Sequence, residues 1–340
     1  MEPTPTAMVA TTRITTGKKC SAVTVLILAR NFDPTADAVV GALAELRVPV
    51  FRTDLSEFPS RLRMSAELRD GRWSGLLWTD HREVQLNAVR SIWNRNPASY
   101  VFPASMTAVE QDFAYREAKL GLGGVLASLD VLWANHPNRC ADAIFKPYQW
   151  KVAAECGLLV ADTTITNDPA SARLFVDRND ATITKALGPS GVTEDGQVRV
   201  AYTRLLPRDD AGELSGVSVT ATTLQRFVPK AYEVRLTIIG DRWFPIAIHA
   251  ATHDARTDWR SDPAALTYEI VSVPDTVTEG VLQYFKRTNL TYAGLDFVVT
   301  PDRKWVFLEA NSGPQFGWLE AATGAPMVEA MADLLMKGNR

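Results

Sequence analysis

Apolar positions along the chain fall into two periods. The run Ala22-Val-Thr-Val-Leu-Ile-Leu-Ala29 is nearly continuous and β-branched, as a parallel strand buried on both faces requires. Asp33, Pro34 and Thr35 then offer helix-start chemistry, and the Ala/Val/Leu spacing predicts a short helix over 36–46. Residues 48–52 resume as a strand, so the chain opens as a small α/β unit. Residues 68–79 read as a hairpin turning at Asp70-Gly71, and 89–93 as another strand. A helix is expected over 107–129, opening on Glu110 and Asp112. No strand precedes its Gly121-Leu-Gly-Gly124, so these glycines predict close helix packing and not a phosphate loop.

After a turn at His136-Pro137-Asn138 the pattern restarts. A helix over 143–156 carries Lys146, Gln149 and Lys151, with Gly157 as its C-cap. Thr163-Thr-Ile-Thr166 reads as a strand, Asn167-Asp168-Pro169 caps a helix over 170–176, and Thr182-Ile-Thr-Lys185 is a strand ending on a lysine. Residues 192–217 are polar and aperiodic, a long hairpin or loop. Strands then dominate, at 219–227, 232–240, 242–251 and 267–272, with a turn at Gly240-Asp241. A helix over 276–288, a final hairpin turning at Pro301-Asp302-Arg303 and a helix over 326–337 complete the chain. The expected division is a disordered tail over 1–20, an α/β domain over 21–136, a central α+β segment over 137–217 and a C-terminal segment over 218–340.

Composition narrows the function classes. The 340 residues are 46% hydrophobic and 22% charged with a net charge of −3, which gives no basic field for nucleic acid. Cys20, Cys140 and Cys156 are scattered and odd in number, against a disulfide framework or structural zinc. No apolar run approaches the roughly 20 residues of a membrane span. The Thr-rich N-terminus lacks an apolar core of the signal-peptide kind, so a cytoplasmic protein is expected. Gly188-Pro-Ser-Gly191 lacks the spacing of a nucleophile elbow. His249 and His253 are four apart on a predicted strand, roughly 13 Å from each other, which disfavours a two-histidine metal site.

The final hairpin holds the main candidate chemistry. Asp296, Glu309 and Asn311 stand within apolar runs, and together they make an oxygen-only ligand set. Such a set suits Mg²⁺ carrying a nucleotide phosphate; polar strand ends facing water are the rival reading. Glu233 and Arg235 share one strand face, where a structural ion pair competes with a functional role.

Across 138–337 these elements occur in the order of the ATP-grasp superfamily, which the chain resembles. Within it, the sequence is similar to the group that matures ribosomal peptides into graspetides, relatives of the ribosomal-protein glutamate ligases. Trp93-Asn-Arg95-Asn-Pro97 resembles that group's Trp-x-Arg-x-Pro element. Trp133-Ala-Asn135-His-Pro137, Ala143-x-x-Lys146-x-x-Gln149, Thr163-Thr-Ile-Thr-Asn167-Asp168-Pro169 and Asp258-Trp-Arg260 also match. The resemblance implies a pre-ATP-grasp domain, a central lobe and a C-terminal antiparallel-sheet lobe. It implies ATP and Mg²⁺, with ATP held by Lys146, Lys185, Gln225, Arg226, Phe227, Val228, Glu233 and Asn311, and metal on Asp296, Glu309 and Asn311. It assigns catalysis to Lys185, Arg235 and Arg260, and ester or amide ligation of Asp or Glu side chains in a precursor peptide with leader and core. Peptide contacts are expected from Arg199, Arg204, Arg208, Asp209, Asp210, His249 and Asp258, although a solvated hairpin is the plain alternative for the 192–216 segment. Other readings are a glutamate or amino-acid ligase and a weakly catalytic ATP-dependent peptide-binding module. No nucleic-acid or membrane partner is expected, and homo-oligomerisation stays open.

Overall fold

A computed structural model describes residues 23–338 apart from 189–190, 195–196, 207, 209–210 and 253–258. The expected tail over 1–20 lies outside the described residues. Among them, no helix is long and apolar enough to cross a membrane.

The first domain is built on β1 (Thr24–Ala29), α1 (Pro34–Glu45), β2 (Val50–Thr53), β3 (Arg63–Arg69), β4 (Arg72–Trp78), β5 (Glu83–Gln85), β6 (Val89–Arg95), α2 (Ala108–Ala127) and β7 (Leu132–Ala134). Strands β2-β1-β6-β7 form a parallel sheet. Alternate β1 residues bury in opposite directions: Val25, Ile27 and Ala29 toward α1, and Leu26 and Leu28 toward α2. Asp33 caps α1 by accepting from the Ala36 N–H at 2.9 Å, and Pro34 sits in the first turn. The β3–β4 turn puts Asp70 at φ 49° and Gly71 at φ 73°, the left-handed pair that a two-residue hairpin needs. The glycines of α2 are helical, but no close packing explains them: a Cβ at Gly121 or Gly124 would meet nothing within 4 Å, and one at Gly123 only the Tyr100 hydroxyl at 3.8 Å.

The rest forms two lobes. It contains α3 (Pro137–Ala143), α4 (Lys146–Glu155), β8 (Leu159–Val160), β9 (Thr163–Thr166), α5 (Pro169–Asp177), β10 (Thr182–Thr184), β11 (Gly191–Glu194), β12 (Gln197–Val200), β13 (Arg204–Leu206) and β14 (Thr222–Arg226). The larger lobe continues with β15 (Tyr232–Ile239), β16 (Arg242–Ala250), β17 (Leu266–Ile270), α6 (Asp275–Thr288), β18 (Tyr292–Val299), β19 (Trp305–Asn311), α7 (Gly317–Thr323) and α8 (Met327–Lys337). The smaller lobe's sheet runs β13-β10-β14-β9, and α5 covers one face with Ala172, Phe175 and Val176. Two boundaries differ from expectation. Strand β14 pairs with β9 and β10, so this lobe extends past residue 217. Lys146 opens its helix instead of riding mid-helix, because Pro147 favours a first-turn position.

The larger sheet runs β17-β16-β15-β18-β19-β8, antiparallel except for β8 beside β19. One face buries Val234, Leu236, Leu295, Phe297 and Phe307 against α4 and α6. The opposite face is divided along its length. Ile239, Phe244, Ile246 and Tyr292 join α1, β1, β6 and α8 in one apolar core shared with the first domain. Nearer the smaller lobe, that same face is polar.

Candidate functional site

The polar end of the sheet and the inner face of the smaller lobe enclose a cleft of ≈ 340 Å³. From the smaller lobe come Ile183 on β10, Lys185 just past the end of that strand, and Gln225, which pairs with Ile183. Arg226, Phe227 and Val228 form the connection between lobes. From the larger sheet come Glu233, Asp296, Val298, Leu308, Glu309 and Asn311. Strand register places Glu233 opposite Val298, Arg235 opposite Asp296 and Asp296 opposite Glu309. Side chains of paired residues share a face, so the two carboxylates stand side by side.

A bulge makes that juxtaposition. Phe297 pairs with Phe307 while its neighbour Asp296 pairs with Glu309, leaving Leu308 as the extra residue on β19. Strict alternation after Phe307 would turn Glu309 to the α4 face; the extra residue restores it to the cleft. Ala310 then packs into the α4 core, and Asn311 returns to the cleft.

Electrostatics here are dense. Arg235 grips Asp296 bidentately: Nε donates to Oδ1, and Nη2 to Oδ2 at 3.0 Å. Arg260 Nη2 lies 3.4 Å from Asp296 Oδ2 and 3.5 Å from Glu309 Oε1. Lys146 Nζ lies 2.9 Å from Glu309 Oε2 and donates to the Ala186 carbonyl at 3.0 Å. Lys185 Nζ sits 5.3 Å from the centre of the Trp150 ring. Burial pushes the Asp296 carboxyl up, against the pull of Arg235 and Arg260. Burial also opposes ionisation of Glu309, but Lys146, Arg260 and Lys185 outweigh it and hold that carboxyl down at about 2. Burial drives the Lys185 ammonium down to about 8, with Glu309 pulling the other way. Burial raises the Glu233 carboxyl, opposed by its ion-pair partner Lys230.

Four cations, Lys146, Lys185, Arg235 and Arg260, thus surround two carboxylates, and the surplus favours a polyanion. The carboxylates and Asn311 supply adjacent oxygen donors. Among the described residues no group of three acid, histidine or cysteine side chains is suited to a metal. Two carboxylates with one amide are the sparse set that Mg²⁺ accepts when phosphate oxygens complete its shell. The residues therefore fit that ion.

The structure gathers Lys146, Lys185, Gln225, Arg226, Phe227, Val228, Glu233, Arg260, Asp296, Glu309 and Asn311 around one cleft. Arg235 is set behind Asp296, buried, and outside the cleft lining. The structural ion pairs are Arg235–Asp296 and Lys230–Glu233, not Glu233–Arg235. Arg199, exposed on β12, pairs with Glu194 at 2.9 Å. Arg204 is exposed on β13. Arg208 donates to the carbonyls of Asp177 at 3.1 Å and Asn179 at 3.0 Å, so it fastens its turn to the end of α5. Asp209, Asp210, His253 and Asp258 lie outside the described residues. His249 does not line this cleft but a neighbouring cavity, which shares Lys230 and Glu233 with it. It stands opposite Tyr232, whose side chain alternates away from that of Glu233, and its ring centroid is 5.1 Å from the Tyr232 ring. Sequence reasoning did not single out Lys230, Tyr202, Val298 or Leu308 as cleft residues. Lys230, three residues before Glu233, was the one with a visible signal.

Comparison with known proteins agrees with this architecture. Residues 24–140 match the family described as the MvdD pre-ATP grasp domain. No curated protein matches the chain in sequence. A RiPP-associated ATP-grasp ligase of Chryseobacterium gregarium, solved with ADP and a leader and core peptide, is similar at a TM-score of 0.85 and 24% identity, over 92% of this chain and 96% of that one. The macrocyclase MdnC of Microcystis aeruginosa MRC, bound with precursor peptide MdnA, is similar at 0.81 and 25%, over 92% and 99%. PsnB, an ATP-grasp ligase solved with a phosphomimetic minimal precursor, Mg and ADP, is similar at 0.73 and 21%, over 93% and 98%. The chain thus has the ATP-grasp fold of these ligases nearly end to end, and its first domain is similar to the MvdD pre-ATP grasp domain.

Proposed function

We propose that this protein is an ATP-dependent ligase that crosslinks side chains within a ribosomal precursor peptide. The observation that carries the reading is the paired Asp296 and Glu309 carboxylates ringed by Lys146, Lys185 and Arg260 in a cleft between two lobes. The relatives solved with ADP, Mg and precursor peptides support it.

Lys146 and Lys185 neutralise nucleotide phosphates as point charges, and the connection Arg226–Val228 lies where the adenine would sit, although β14 is a central strand and the Arg226 and Phe227 N–H groups are already taken by the Asp162 and Ala181 carbonyls. Asp296, Glu309 and Asn311 would hold Mg²⁺, which would offset phosphate charge. A carboxylate oxygen of the peptide attacks the γ-phosphorus of ATP and ADP leaves. A Thr or Ser hydroxyl, or a Lys amine, then attacks the acyl carbon. Phosphate departs, and the nucleophile's proton passes to solvent or a nearby base. Arg260, bridging Asp296 and Glu309, places a guanidinium where the transferred phosphoryl group bears its charge. Arg235 acts one layer back, orienting Asp296. Arg199 on β12 and Arg204 on β13 are exposed peptide-facing candidates, whereas Arg208 is engaged with the end of α5. The domains run over 23–136, 137 to the end of β14, and onward from β15, and a reaction that spends ATP fits the cytoplasm. The test is incubation with Mg²⁺, ATP and a candidate precursor peptide, following ADP and peptide mass. Loss of one water per ring is expected. ADP release without peptide dehydration, across precursors encoded nearby, would point instead to ligation of a free amino acid.

A further inference from the structure

Strand β19 carries two of the three candidate metal ligands, yet its outer edge is only partly paired. Strand β8 pairs with Val306 and Phe307 and goes no further. Among the described residues, the segment from Leu308 to Asn311, which contains the bulge, has no strand beside it on that edge. Two side chains of α4 take the place of one. The Gln149 amide makes a reciprocal pair with the Ala310 backbone: its Nε2 donates to the Ala310 carbonyl at 2.9 Å, and its Oε1 accepts from the Ala310 N–H at 2.8 Å. Trp150 Nε1 donates to the carbonyl of the bulge residue Leu308 at 2.7 Å. Gln149 is 3% exposed, and its Nε2 also donates to the Ala143 carbonyl, so its orientation is fixed.

We infer that Gln149 and Trp150 are positioning residues that hold the β19 bulge in register and so keep Glu309 and Asn311 turned toward the cleft. An amide side chain can donate to and accept from one backbone peptide unit at once, as a neighbouring strand would. The bulge is a two-state choice, because losing it sends Glu309 to the α4 face, where a carboxylate meets Ala310, Phe307 and Val152. The same helix supplies Lys146, the partner of Glu309, so one rigid element sets both the carboxylate and its counter-charge. The inference rests on the proposed Mg²⁺–nucleotide reading for its consequence, but its first test does not.

Amide hydrogen exchange of Ala310 reads the brace directly. In Gln149→Leu its protection should fall at least tenfold while the β15 and β18 amides stay protected. Unchanged Ala310 protection would overturn the brace whether or not the protein is a ligase. Calorimetry with Mg–ADP reads the consequence. Gln149→Leu should weaken Mg²⁺ binding by roughly 10- to 100-fold, the usual effect of removing a group that orients a metal ligand, with KM for peptide little changed. Wild-type Mg²⁺ affinity in a folded Gln149→Leu would refute the inference. Gln149→Glu separates positioning from simple loss of packing. Protonated, its carboxylic acid donates and accepts as the amide does; ionised, it repels the Ala310 carbonyl. Its activity should therefore rise relative to wild type as pH falls from 8 to 6, and a parallel pair of pH profiles would refute the proposal. Trp150→Phe keeps a ring beneath Lys185, removes the N–H, and should give a smaller effect of the same kind.

Discussion

Burial sets the Lys185 ammonium at about 8, so its charge is partly lost within the experimental pH range. A phosphate bound in the cleft favours the charged form and raises that value, so protonation and nucleotide binding are linked. Binding draws on the ammonium, which is present below about pH 8 and lost above it. Between pH 7 and pH 9 the protonated fraction of the ligand-free site falls from about nine-tenths to about one-tenth. Kd for Mg–ADP should therefore rise about tenfold, or ~1.4 kcal/mol, across that interval. Calorimetry at pH 8 in two buffers of different ionisation enthalpy should show uptake of about half a proton per nucleotide. Lys185→Arg carries a charge that does not titrate in this range and should flatten the profile. Lys185→Met should weaken binding and also flatten it. Wild-type affinity that is constant from pH 7 to pH 9, or a Lys185→Met variant that keeps the wild-type slope, would refute the reasoning.

Other consequences are as direct. Asp296→Asn and Glu309→Gln should abolish peptide dehydration and raise the Mg²⁺ requirement by 10-fold or more, checked by mass spectrometry over a Mg²⁺ series. Gly294→Ala should disturb the site through packing, since its Cβ would lie 2.9 Å from Pro314 Cβ and 3.2 Å from Arg235 Cδ. A destabilisation of about 1–3 kcal/mol by denaturant titration is expected, with weakened metal binding. Gly75→Ala would force a Cβ to 2.0 Å from the Ser65 carbonyl at a φ of +138°, so it should cost stability while leaving Mg–ADP affinity at the wild-type value. Asn135→Ala removes an acceptor for Thr291 N–H at 2.8 Å and a donor to the Ser312 carbonyl at 2.7 Å, and should lower stability by about 2–4 kcal/mol.

The sequence carried the site well because its acids stand inside apolar runs, where only a partner or a ligand accounts for them. Turns were equally legible where one conformation is demanded, as at Asp70-Gly71 and Gly240-Asp241. Pairing between distant segments was not. Nothing local to residues 222–226 says that this strand joins β9 and β10 instead of β15. Arg235 shares its strand face with Glu233, yet neither the grip on Asp296 nor its place behind the cleft wall can be read from spacing. His249 went to the other face because the register with β15 is set by tertiary pairing. The bulge at Leu308 is silent in the sequence, since Trp-Val-Phe-Leu-Glu reads as an ordinary strand. The short helix α7 after Gly317 was missed for want of a cap: Phe316 makes no side-chain capping bond.

The core that α1, β1 and β6 share with Tyr292, Phe316 and α8 has a consequence for how this chain can be cut or recombined. Residues before 136 and the C-terminal helix fold around one another, and Asn135 stitches β7 to the start of β18 and the end of β19. The first domain is thus contiguous in sequence but not separable as a module. A truncation before residue 136 would strip cover from Ile239, Phe244 and Tyr292. A chimera that imports a foreign first domain should succeed only when residues 317–337 travel with it. Melting of the whole chain should accordingly show the first domain and the larger lobe unfolding together, with the smaller lobe the one part free to open ahead of them.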